Sequence, residues 1–235
     1  MNRKHTSVFS AVSELLDQHG YTMFGFLQKY YNNNLDLLNL PDNAHKKFSG
    51  IYDKLCQEKN SARAKGNLLE ELTHCLFTDG YGCMFDSHRQ CRTSSNEIDI
   101  LLLWSEQARL NGFACVFPFL GDSILCECKN YQKAVSVTHV GKFYSLMHVS
   151  MVNIGIMIAW NGISGRGNWD SAKGLVKKIV LRDNSYVIVI DKDDLNEIYL
   201  KKTNIFSLLY KKYESLKFET DYSKYIKPHP AEKRL

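Results

Sequence analysis

Apolar positions along the chain follow two different periods. Val8, Phe9, Val12, Leu15 and Leu16 recur three and four residues apart, which predicts an amphipathic helix that Gly20 stops. A second helix is predicted over 24–31 and is broken by Asn32-Asn33-Asn34. A third follows the Pro41-Asp42 turn and runs through Phe48, Ile51, Tyr52 and Leu55. From Ala62 a longer helical pattern reaches Thr78 and ends at Asp79-Gly80. The period then shortens. Apolar runs over 83–89, 98–104, 123–128, 153–160 and 186–191 read as strands, with helical patterns over 137–151 and 170–181 between the later ones. Strands alternating with helices predict an α/β fold around a mixed sheet. Helices over 195–200 and 205–216 and a lysine-rich tail follow. The chain is thus expected to comprise an N-terminal helical region (1–60), an α/β core (61–193) and a helical C-terminal extension with its tail (194–235).

Composition narrows the class without choosing a function. A chain of 235 residues suits one domain of ordinary size plus an appendage. The net charge of +5 is a mild excess, compatible with a nucleic-acid partner but short of demanding one. Seven cysteines, an odd number without secretory spacing, predict reduced thiols and a cytoplasmic protein. The start, Met1-Asn-Arg-Lys-His, lacks the apolar run of a signal peptide, and the most apolar segment, 154–160, is too short to cross a bilayer. No membrane association is expected.

The candidate chemistry lies in Ile124-Leu-Cys-Glu-Cys-Lys-Asn130 and Asn96-Glu-Ile-Asp-Ile-Leu101. In a strand, Glu127 and Lys129 share one face while Cys126 and Cys128 share the other. A carboxylate and an ammonium in a strand suited to burial are costly unless something uses them. Asp99, in an equally apolar run, supplies a second carboxylate. Two acids and a lysine so arranged can hold Mg²⁺ and a water against a phosphodiester. Glu-x-Lys alone is weak, since roughly one arises by chance in a chain of this size. The competing reading is an edge strand carrying solvated charges. Ile124, Leu125, Cys126 and Cys128 argue instead for burial on both faces.

The ordered set of a helical glutamate, then Asp, then Glu-x-Lys resembles the PD-(D/E)xK restriction-endonuclease-like superfamily, and within it the Mrr-type (type IV) restriction endonuclease domain. Lys65-Gly-Asn-Leu-Leu-Glu70 is similar to the Gly-x-x-x-Glu opening of the family's first core helix. Asn96-Glu-Ile-Asp99 is similar to its Asp-bearing strand, and Cys126-Glu-Cys-Lys-Asn-Tyr131 with Val135-Ser-Val-Thr-His-Val140 to its Glu-x-Lys strand and the helix after it. Ile154-Gly-Ile-Met-Ile-Ala159 followed by Asn161-Gly-Ile-Ser-Gly165 resembles the strand and small-residue turn that complete the core. The resemblance implies a restriction-endonuclease-like mixed sheet flanked by helices. It assigns Asp99 and Glu127 as metal ligands, Lys129 as the catalytic lysine, and Glu70 as the helical acid that holds metal directly or through water.

Two departures stand out. Ile98 occupies the place of the superfamily's proline. The segment from Ser105 to Gly121, with Phe113, Val116, Phe117 and Phe119, exceeds a hairpin and is expected either to cover the cleft or to form a subunit contact. On a helical wheel Glu70 lies with Gly66, Thr73 and Phe77, away from a Leu68, Leu72, Leu76 stripe that Glu71 flanks.

Gln132, His139 and Lys142 follow the Glu-x-Lys strand at the start of a helix, where anions are favoured, and are candidate phosphate contacts. His74, Cys75, Cys83, His88 and Cys91 lack paired Cys-x-x-Cys spacing and are not read as a zinc site. Asn161-Gly-Ile-Ser-Gly-Arg-Gly has no Gly-Lys-Ser/Thr ending and reads as a turn. The resemblance implies an endonuclease hydrolysing DNA with Mg²⁺, or Mn²⁺ as substitute, in restriction or anti-phage defence. Cutting both strands takes two active sites and points to a homodimer. The alternatives are a Holliday-junction-resolvase-like or RNA-directed nuclease, and a non-catalytic nucleic-acid-binding protein on a nuclease fold. Intact Asp99, Glu127 and Lys129 argue against the last.

Overall fold

The computed structural model describes residues 14–22, 38–57, 61–81, 84–92, 97–110, 113–167 and 170–218. The chain divides into two compact units, 1–39 and 40–235. In the first, the backbone over 14–18 is helical. It closes at Gly20, whose φ of +73° is the left-handed conformation that glycine adopts freely. The Tyr21 N–H returns to the Leu16 carbonyl at 2.9 Å. The helix predicted over 24–31 and the asparagine run lie outside the described residues.

The second unit opens with α1 (Asp42–Cys56), entered from Pro41, which buries Ala44, Phe48, Ile51, Tyr52 and Leu55 along one stripe. Helix α2 (Ala62–His74) starts at Ser61, whose hydroxyl accepts the Ala64 N–H at 3.2 Å. It continues into a single π-helical turn, Cys75–Asp79. The buried face of α2 passes through Leu69, Leu72 and Thr73 and continues through Leu76 and Phe77. This corrects the wheel reading, which ran the stripe through Leu68. The rotation leaves Glu71 exposed and Glu70 half-buried.

Five strands form one sheet in chain order: β1 (Phe85–Arg92), β2 (Glu97–Trp104), β3 (Ser123–Lys129), β4 (Ile154–Ala159) and β5 (Tyr186–Ile190). The first three pair antiparallel, and β3, β4 and β5 pair parallel. The mixed α/β sheet with flanking helices is the predicted architecture. Because β3 is the central strand, the edge-strand reading of its charges does not hold. Parallel neighbours require crossovers, supplied by α5 (Val137–Val149) and α6 (Ser171–Asp183). These helices pack Val140, Phe143, Met147, Val176 and Ile179 into one cluster with Leu125, Met157 and Val187 of the sheet. Helix α2 lies against the other face, where Thr73 Oγ1 meets Cys128 Sγ at 3.3 Å. Every residue of β4 is buried, as expected of a strand covered on both faces.

The segment from Ser105 to Gly121 is ordered in its described part as α3 (Glu106–Leu110), α4 (Phe113–Val116) and a 3₁₀ turn, Pro118–Leu120. Its Phe117 and Phe119 pack on α8 (Ile205–Lys217). Phe117 stacks on Phe206 at 4.6 Å, and Phe119 lies 5.2 Å from Tyr213. Helix α7 (Lys192–Tyr199) begins with a reciprocal cap: the Asp191 carboxylate accepts from the Asp194 N–H, and the Asp194 carboxylate accepts from the Asp191 N–H. Lys212 of α8 pairs with Asp194 at 2.7 Å, tying the two helices together. Among the described residues no helix is long and apolar enough to cross a membrane.

Candidate active site

The β2–β3 ladder sets Ile100 opposite Cys126. Asp99 and Glu127 each lie one residue beyond that pair, so alternation puts their side chains on the same face. The Asp99 carboxylate accepts the Cys128 N–H at 2.7 Å, continuing the strand pairing with a side chain. Lys129 reaches back along this face. Its ammonium pairs with Glu127 and stands 3.9 Å from Asp99 Oδ2. All three side chains are largely buried yet retain 16–20% exposure, so the cluster opens to solvent. The structure therefore brings Asp99, Glu127 and Lys129 together at the sheet centre.

The electrostatics follow from this crowding. Burial and the neighbouring Asp99 charge raise the Glu127 carboxyl above its ordinary value, outweighing Lys129. Burial alone would lower the Lys129 ammonium, but Glu127 and Asp99 more than offset it and hold the group above its usual range.

Glu70 approaches from α2, and its charge is felt at Glu127 as a smaller contribution in the same direction as Asp99. One turn further along, the Thr73 hydroxyl donates to the Leu69 carbonyl at 2.8 Å, which leaves the Cys128 thiol to donate to Thr73. Asn130 Nδ2 donates to the Lys65 carbonyl at 3.3 Å. These contacts set the distance between α2 and β3. The only sequence signal for Thr73 or Asn130 as a site residue is adjacency to Glu70 or Lys129.

The candidate phosphate contacts sit beyond the end of β3. Gln132 is exposed in the turn, with its carbonyl 3.4 Å from Asn161 Nδ2. His139 is half-buried in the first turn of α5, 5.1 Å from the Tyr131 ring, and Lys142 is exposed one turn on. Tyr131 was not singled out, yet it is 41% exposed and close enough to Lys129 to act on its charge. Glu97 begins β2.

Two clustered carboxylates suit a hard cation that keeps most of its own water. Among the described residues, no group of three or more His, Cys, Asp and Glu side chains is disposed to hold a metal ion.

Residues 62–199 match the family model for the Mrr catalytic domain, described as a restriction endonuclease. That match covers more than half of the chain, which therefore belongs to the Mrr catalytic-domain family of restriction endonucleases. It spans α2 and the whole sheet and runs on through α7. No curated protein and no solved structure matches the chain.

Proposed function

We propose that the chain is a divalent-metal-dependent endonuclease hydrolysing phosphodiester bonds of DNA, and that Asp99, Glu127, Lys129 and Glu70 form its active site. The observation that carries this reading is the placement of one ammonium within ion-pair reach of two carboxylates at the centre of the sheet. Asp99 and Glu127 would hold Mg²⁺, or Mn²⁺ in its place, with Glu70 contributing directly or through water. The bound ion supplies Lewis-acid polarisation of the phosphoryl oxygens. Lys129 lies where it can offset the charge that grows on a phosphate undergoing attack, and burial strengthens that interaction. Helix α5 presents its first-turn amides next to the Lys129 strand. Its N-cap residue, Ser136, makes no side-chain cap hydrogen bond, so the Val137 and Thr138 amides are available to a phosphate beside Gln132, His139 and Lys142, while the His139 amide donates to the Ser136 carbonyl.

DNA is the natural substrate of the family, and restriction of foreign DNA in the cytoplasm is the corresponding role. Cutting both strands would take two copies of the chain. The test incubates purified protein with supercoiled plasmid, branched DNA and RNA, with Mg²⁺ or EDTA, beside Asp99→Asn and Lys129→Ala. Metal-dependent cutting lost in both variants supports the reading. Cutting that persists in either variant assigns the chemistry elsewhere, and preference for branched DNA or RNA replaces the substrate.

A further inference from the structure

A second concavity lies on the sheet face that carries Glu127, displaced toward β5. It is a cleft of about 420 Å³ between α6 and α8, within the size range of small-ligand sites. Val187 and Val189 of β5 form its floor, and Val176 and Leu216 form its walls. Lys173 and Lys177 line it from α6, Lys212 lines it from α8, and Asp191 lies at one end. Lys212 is already paired with Asp194.

The two α6 lysines are electrostatically out of place as helix residues. They stand four apart on one face, an arrangement of like charges that costs a few tenths of a kcal/mol in an isolated helix. Lys173 also lies in the first turn, where the helix dipole disfavours a cation, and that turn contains no acidic residue. Among the described residues Lys173 makes no ion pair. In the turn before α6, Gly165 has φ +137°, and a Cβ there would meet the Asp170 carbonyl at 2.5 Å and the Lys173 stem at 3.2 Å. The cleft thus combines an apolar floor with two concentrated positive charges at its rim.

The cleft also has a defined relation to the candidate active site. The register runs Glu127 opposite Met157 and Met157 opposite Val189, so the floor lies two strands, about 10 Å, from Glu127. Asn161 joins the two regions. It lines the cleft and donates to the Tyr131 carbonyl at 2.7 Å, two residues after Lys129.

We propose that this cleft binds one nucleotide of a nucleic-acid strand, its base against Val176, Val187, Val189 and Leu216 and its phosphate against Lys173 and Lys177. The identity of the strand as substrate rests on the nuclease reading above, whereas the nucleotide chemistry of the cleft does not.

Binding is measured on the full chain in EDTA, so that nothing is cut. Fluorescently labelled single-stranded and duplex oligonucleotides are titrated across a salt series, and a deoxynucleoside monophosphate is titrated by calorimetry. The variant is Lys173→Gln/Lys177→Gln. Lys46→Gln/Lys54→Gln on the exposed face of α1 is the equal-charge control, and melting temperatures check that both fold. The cleft variant is expected to bind oligonucleotide at least tenfold more weakly. Its log-affinity against log-salt slope is expected to fall by about 0.7 for single strands and 0.9 for duplex, the loss of one phosphate contact. If monophosphate binding is lost while oligonucleotide binding is unchanged, the assignment to a strand is overturned and the cleft takes a free nucleotide. Affinities and slopes equal to those of the control variant for every ligand overturn the proposal. Plasmid cutting is read separately, so a chain that binds through the cleft but never cuts overturns the nuclease reading alone.

Discussion

The Asp99 carboxylate accepts the backbone N–H of Cys128 at 2.7 Å, so one side chain serves both the proposed chemistry and the joining of β2 to β3. Cys128 itself is buried. Asp99→Ala would leave that amide without its acceptor, at about 1–3 kcal/mol. Asp99→Asn keeps an oxygen in place and removes only the charge. Both variants should lose cutting by at least about 100-fold, an effect of the size expected for removing a charged active-site group. Only the alanine variant should show a clearly lowered urea midpoint. Equal midpoints for the two would refute the dual role.

Glu127 makes metal binding pH-dependent in a defined direction. Its carboxyl is raised above the ordinary 4.5 by burial and by Asp99, against Lys129. Between 4.5 and the raised value, the folded chain holds a proton that the unfolded chain has released. Fold stability without metal therefore falls as pH rises through that window. A cation needs the ionised carboxylate, so its affinity should strengthen as pH rises through the same window, with proton release. Calorimetry of Mg²⁺ binding in mildly acidic buffers of different ionisation enthalpy measures this release. Heats identical in all buffers would show that Glu127 does not titrate with the metal.

The cysteines divide by burial. Burial pushes the Cys75 thiol up to about 12 and raises Cys126 and Cys128 as well, whereas Cys56 and Cys115 are exposed. The thiolate is the reactive form. Of these five, only Cys56 and Cys115 should be alkylated by iodoacetamide in the native protein at pH 8, as read by peptide mass spectrometry. Rapid labelling of Cys126 or Cys128 would show that the β3 strand opens.

Gly155 marks a close approach between sheet and helix. A Cβ there would lie 2.7 Å and 2.8 Å from ring atoms of Phe143 and would also collide with Met147. Gly155→Ala should force α5 away from β4 and destabilise the fold by about 1–3 kcal/mol, measured by urea unfolding. An unchanged midpoint would mean that α5 is free to shift.

The elements that could be read in advance are those whose local pattern and tertiary surroundings agree. Helix α1 starts after Pro41 and buries Phe48, Ile51, Tyr52 and Leu55, as its period predicts. The five apolar runs all became strands, with β1 beginning two residues later than the predicted run and extending to Arg92. Helix α2 was placed correctly but rotated wrongly. Leu68 and Leu69 are equally apolar, and a wheel cannot choose between adjacent leucines when it does not know where the sheet lies. The packing against Cys128 chose Leu69, and that turned Glu70 inward and Glu71 out. The aromatic residues of the segment from Ser105 to Gly121 suggested a cover or a subunit contact. In the fold Phe117 and Phe119 meet α8, a partner some ninety positions away in the chain.

Period-2 and period-3.6 patterning established the class of fold, and alternation within one short run put Glu127 and Lys129 on a common face, because both follow from backbone geometry between near neighbours. Strand order, the placement of Asp99 beside Glu127, the approach of Glu70 and the cleft between α6 and α8 came from folding. Each depends on long-range pairing and on which of two similar faces meets the core, and neighbouring residues carry no information about either.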